Sequence, residues 1–108
     1  MDSPATYWDN LDDETYITLK KAQEEYASCD NPFENFEVVG KILGISPREV
    51  LAVYLLKHVI SLVRGVSLRE PLRGRVIDAI GYLKLLAYMN YVEYMKSGDN
   101  KLGEGMGN

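Results

Sequence analysis

The chain has one cysteine, one histidine, one tryptophan and two phenylalanines in 108 residues. With Cys29 alone no intrachain disulfide can form, which fits a reducing compartment and a cytoplasmic location. With His58 as the one imidazole, the ligands for a zinc site are too few, and no Ser-His-Asp arrangement follows from it. Glycine-rich phosphate loops are missing too: the C-terminal glycines follow no strand signal and precede no helix. Met1 to Asn10 is polar and acidic, so no secretory leader is expected. The longest apolar run, Val50 to Val63, is broken by Lys57 and His58 and falls short of the roughly 18–20 residues a membrane span needs. Excess positive charge is absent as well. The net charge is −4 and the pI about 4.9, which argues against broad attraction to nucleic acid or an anionic membrane.

What is present is helical punctuation and eight tyrosines, whose rings suit pockets and interfaces as well as cores. Asp12, Asp13 and Glu14 place negative charge at the positive end of a first helix, expected from about Asp13 to Ala27. Tyr16, Leu19, Ala22 and Tyr26 form its stripe. Asn31 and Pro32 start a second helix carrying Phe33, Phe36, Val39, Ile42 and Leu43, and Gly44 ends it. Ser46-Pro47-Arg48-Glu49 is a capping box that opens a third helix to about Arg64. Ser67-Leu68-Arg69-Glu70 repeats that pattern ahead of Pro71, and the last helix runs to about Lys96.

No strand signal accompanies these runs. The expected fold is all-α: a four-helix bundle over residues 11–96, with two long apolar helices near 47–64 and 71–96. Residues 1–10 are expected to form a flexible arm, though Tyr7 and Trp8 could dock on the body, and the glycine-rich 97–108 a disordered tail. Helices apolar on most sides in so small a domain predict a partner chain, and hence a homodimer or higher oligomer.

A few polar residues interrupt the apolar helices. Asp78 sits in an otherwise apolar segment, and a buried, unpaired carboxylate costs several kcal/mol. Lys57 is its natural partner. The pair either fixes helix packing or belongs to a ligand pocket, with Asp78 on a metal or ribose and Lys57 on a phosphate. Glu24 and Glu25 either share Mg²⁺ with Asp78 or are solvated beside Lys20 and Lys21. Arg64, Arg69, Arg73 and Arg75 surround the turn between the long helices and suit phosphate, an acidic partner or simply solvent. His58 reads as a packed or interface residue. The Val39–Val50 segment resembles a helix-turn-helix core, but its second helix offers aliphatic residues rather than polar ones to bases, so DNA binding is not expected.

Tyr26-Ala27, Asn31-Pro32-Phe33-Glu34-Asn35-Phe36, Leu56-Lys57 and Asp78 with Gly81-Tyr82 resemble a small phage and bacterial domain family. That family is described as nucleotide-modification-associated, and the chain is also similar to the all-α NTP pyrophosphohydrolases of MazG type. The likeness extends over about residues 19–95. It implies a MazG-like helical bundle, usually oligomeric, in the cytoplasm of a host cell where a phage encodes it. It also implies a pocket between helices that involves Tyr26, Asn35, Phe36, Lys57, Asp78 and Tyr82. The MazG-type pattern is E-E-x-x-E on one helix and E-x-x-D on a later one, with the carboxylates holding Mg²⁺. Here Ser28 and Arg75 stand at two of those positions. A chain that keeps the pocket and loses the metal cage binds rather than hydrolyses. Two expectations follow. One is a nucleotide-binding protein, with Lys57 and Arg64 near phosphates and a degenerate pyrophosphohydrolase site. The other is a non-enzymatic helical interaction module, a phage accessory protein that binds a host component.

Overall fold

Ser3 and Ser46 each precede a proline, and each caps a helix. A computed structural model describes residues 1–26, 31–64 and 72–98, apart from the side chain of Tyr26. In it the chain forms four helices: α1 (Pro4–Tyr26), α2 (Glu34–Leu43), α3 (Pro47–Arg64) and α4 (Arg73–Lys96). The all-α four-helix bundle follows, and there is no strand among the described residues. Nor is any described helix long and apolar enough to cross a membrane. The expected Ser67–Glu70 cap, Cys29, Arg69 and the tail from residue 99 lie outside the described residues.

The start of α3 is the expected capping box. The Ser46 hydroxyl accepts from Glu49 N–H at 3.1 Å, and the Glu49 carboxylate accepts from Ser46 N–H at 2.9 Å. At the other end of the chain the structure corrects the expectation of a flexible arm over residues 1–10. The first helix begins at Pro4 rather than near Asp13. The Ser3 hydroxyl accepts from Thr6 N–H at 3.2 Å, and the Ser3 carbonyl accepts from Tyr7 N–H at 2.9 Å. This N-terminal turn docks on α4. The Arg73 guanidinium lies 4.8 Å from the Tyr7 ring centroid and donates to the Glu14 carboxylate at 2.7 Å.

Asn31 does act ahead of α2, accepting from Phe33 N–H at 3.1 Å, but the helix begins only at Glu34. Gly44 ends it in the left-handed conformation (φ 75°, ψ 30°), which costs glycine little. The α2–α3 turn comes so close that a Cβ on Gly40 would stand 2.6 Å from the Ile45 carbonyl oxygen. Only glycine fits there without a shift. The apolar stripe of α2 is buried at Phe36 and partly at Phe33 and Val39, then emerges into solvent at Ile42 and Leu43.

The core sits where α2, α3 and α4 meet, on Phe36, Val50, Leu51 and Met89. Helix α3 packs on both α2 and α4, and α1 packs on α4. Arg48 ties α3 to α4 through the Glu93 carboxylate. Along α1 Leu19 and Ala22 of the expected stripe face inward, but Tyr16 does not. Thr15 is buried and Tyr16 is exposed. Thr15 tolerates burial because its hydroxyl donates to the Leu11 carbonyl at 2.7 Å.

Candidate functional site

Between the four helices lies a cavity of about 170 Å³. One wall is aromatic. Phe36 of α2, Tyr54 of α3 and Tyr82 of α4 meet edge to face, with ring centroids 5.6 Å (Phe36–Tyr54), 6.4 Å (Phe36–Tyr82) and 6.1 Å (Tyr54–Tyr82) apart. Three helices each place one ring here because all three converge on the core below it. Opposite them, α1 contributes Thr15, Thr18, Leu19, Ala22 and Gln23. Gly81 lets α1 approach: the atom nearest to a Cβ built there is Leu19 Cδ1, at 3.9 Å. Asn35 and Asp78 are exposed yet line the cavity, so it opens to solvent on their side.

Asp78 does not pair with Lys57. Its neighbour is His58, with Nδ1 3.9 Å from the Asp78 carboxylate, an electrostatic contact too long for a hydrogen bond. His58 Nδ1 is buried and has no hydrogen-bond partner. The imidazole stacks on Tyr82, with centroids 5.3 Å apart and planes 27° from parallel. An Asp78 in the interior would need a partner for its charge. In the fold Asp78 is nearly half exposed, and solvent shares the work of stabilising its charge. Tyr82 feels both neighbours. Burial, then the Asp78 carboxylate, then Tyr54 push its phenol above the ordinary range.

Of the expected ligand residues, Asn35, Phe36, Asp78 and Tyr82 are brought together around this cavity. Lys57 and Arg64 are not. Both are exposed on α3, and neither lines it. Tyr26 ends α1, with its side chain outside the described residues. The donor set does not fit the Mg²⁺ cage that the resemblance implies. Glu24 and Glu25 are exposed at the end of α1, and no three His, Cys, Asp or Glu side chains among the described residues stand close enough to share an ion. Arg75, one turn before Asp78 on α4, brings a cation where such a cage needs a carboxylate.

Sequence reasoning missed Thr15, Thr18, Gln23 and Tyr54. A signal existed for two of them. Leu11, Thr15, Leu19 and Ala22 recur at helical spacing once the helix is started at Pro4, and Tyr54 lies four residues before His58 on the inward side of α3. Comparison with protein-family models, with curated proteins and with solved structures returns no match.

Proposed function

We propose that the protein binds a small nucleotide-derived ligand by its base, in the cavity between the four helices. The observation that carries this is the combination at one opening. Three rings offer faces and edges for stacking, while Asn35, Thr18 and the Asp78 carboxylate offer hydrogen-bonding groups. Flat heterocycles take that combination, and a carboxylate and an amide side chain suit exocyclic amines and ring nitrogens. No Lys or Arg is among the lining residues, so the cavity suits the uncharged part of the ligand. Its volume is well below the roughly 300 Å³ at which pockets for drug-sized ligands begin. A base fits, and the sugar and any phosphates extend past Asn35 and Asp78 into solvent.

Calorimetric titration and thermal shift with a panel of nucleosides and nucleotides test the reading. An amino-bearing base should raise the melting temperature, and Asp78→Ala should weaken its binding roughly ten- to hundredfold through loss of a charged acceptor. If no member of the panel shifts the melting temperature, the proposal fails. If a base binds Asp78→Ala unchanged, Asp78 has no part in recognition.

The chain also works, in this reading, as a homo-oligomer. Large apolar side chains stand exposed on the outer surface of the bundle, and aliphatic surface of that extent is normally covered by a partner.

A further inference from the structure

We infer that two copies of the chain associate through the outer face of α3, antiparallel about a two-fold axis, with Glu49 of each copy meeting Arg64 of the other. This rests on the oligomeric reading above and names its surface.

The inward side of α3 is set by Val50, Leu51, Tyr54 and His58, which meet residues of α2 and α4. On the opposite side Val53, Leu56, Ile60 and Val63 recur at i, i+3, i+7 and i+10. They are 57%, 54%, 51% and 81% exposed. That three-four-three spacing is the seam along which two helices interlock. Four aliphatic side chains in one line have no polar atom to lose on burial, so closing them against a like surface removes apolar area at no hydrogen-bonding cost.

The ends of the seam decide the occupant and its direction. Glu49 lies in the first turn of α3 and Arg64 in the last. Both are exposed. At 1.5 Å per residue they are about 22 Å apart. A parallel copy would set Glu49 on Glu49 and Arg64 on Arg64. An antiparallel copy sets acid on base at both ends and opposes the two helix dipoles. The surface is therefore self-complementary in the way a two-fold interface requires. Glu49 is suited to this. One carboxylate oxygen caps Ser46, and those hydrogen bonds hold the group below the usual glutamate range, so it is ionised. Arg64, which the cavity does not use, acquires a role here.

Sedimentation velocity on the full chain across the micromolar range tests the inference. The wild type should run as a dimer. Ile60→Glu should run as a monomer with unchanged helical circular dichroism, since Ile60 supports no core contact. Arg64→Glu should weaken the dimer about tenfold or more, and Glu49→Arg with Arg64→Glu should restore it. A monomeric wild type overturns the oligomeric reading and this one with it. An oligomer that survives Ile60→Glu overturns only the α3 face and leaves the oligomer standing. If Ile60→Glu fails to fold, Leu56→Lys in its place must give the monomer. Failure of the double swap to restore what Arg64→Glu loses overturns the antiparallel arrangement.

Discussion

The inner side of the α3–α4 pair carries polar groups beside its apolar core, and the outer side of α3 carries an aliphatic seam, each a local departure from the usual amphipathic rule. Facing inward are two phenols, an imidazole and a carboxylate: Tyr54, Tyr82, His58 and Asp78. Facing outward on α3 are Val53, Leu56, Ile60 and Val63. A monomer that binds nothing gains from neither choice. Polar groups inside lose hydration, and aliphatic groups outside order water. The two departures make sense together when each side is assigned a missing neighbour, a small polar ligand inside and a second chain outside. The strictly structural part of the interior is small, centred on Phe36, Val50, Leu51 and Met89. Beside it, Ile77, Asp78, Gly81, Tyr82 and Leu85 of α4 line the cavity.

The largest effect should come from comparing the two sides of α3 by the same truncation. Leu51 is 0% exposed, and Leu51→Ala should cost about 3 kcal/mol in urea unfolding by removing packed methyl groups from a core with little else to fill the space. Val63→Ala, on the exposed side, should cost less than about 0.5 kcal/mol at dilutions where the chain is monomeric. Raising the concentration sharpens the comparison. A dimer closed over α3 makes the Val63 effect grow with protein concentration, while the Leu51 effect persists even in the monomer. Equal costs at high dilution would break the inner–outer distinction.

Much of the fold is legible in the sequence because helix starts are local. Ser46-Pro47-Arg48-Glu49 contains both halves of its reciprocal cap, and both hydrogen bonds form. Ser3-Pro4-Ala5-Thr6 opens α1 with one half of that cap, the Ser3 hydroxyl accepting from Thr6 N–H. It passes for a loose arm because Thr6 stands where a glutamate would advertise the box, and because the run from Asp9 to Glu14 is mostly acidic. Site residues are harder to read than helix starts, since one step along a helix turns the side chain by about 100°. The sequence states that Asp78 needs a neighbour but not whether Lys57 or His58 faces it. The same ambiguity separates Thr15 from Tyr16. Asn35, Phe36 and Tyr82 are grouped in the sequence only through the family resemblance, not by their spacing. The cavity that joins them to Thr15 and Tyr54 depends on how closely α1 lies on α4 at Gly81, a packing distance no single helix encodes.

A smaller effect tests whether the space beside Gly81 belongs to a ligand. Gly81→Ala places a Cβ in ordinary contact with Leu19 and nothing closer, so the helix should gain about 0.5–1 kcal/mol from its lower unfolded entropy. The same methyl group occupies the cavity wall. The variant should therefore melt higher than wild type without ligand, and show a smaller shift with whichever base the wild type binds. A variant that is more stable and binds fully would mean that the ligand does not reach the α1–α4 seam.

The smallest effect concerns the proton on Tyr82. Its phenol is held above the ordinary range first by burial and then by the Asp78 carboxylate and Tyr54. A raised value means that the folded chain holds this proton more tightly than the unfolded chain, whose tyrosines titrate near 10. The resulting stability is full below that pH and is lost as the pH rises through the folded value. In alkaline titration followed by tyrosinate absorbance, the wild type minus Tyr82→Phe difference should ionise above the ordinary range. In an Asp78→Asn background it should move down, since the charge of the neighbouring carboxylate is gone. Burial would still keep it raised, because desolvation is the larger cause. If Tyr82 ionised in the ordinary range with Asp78 intact, the inner side would be as wet as the outer one. The contrast between a sheltered polar cavity and an exposed aliphatic seam would then reduce to the seam alone.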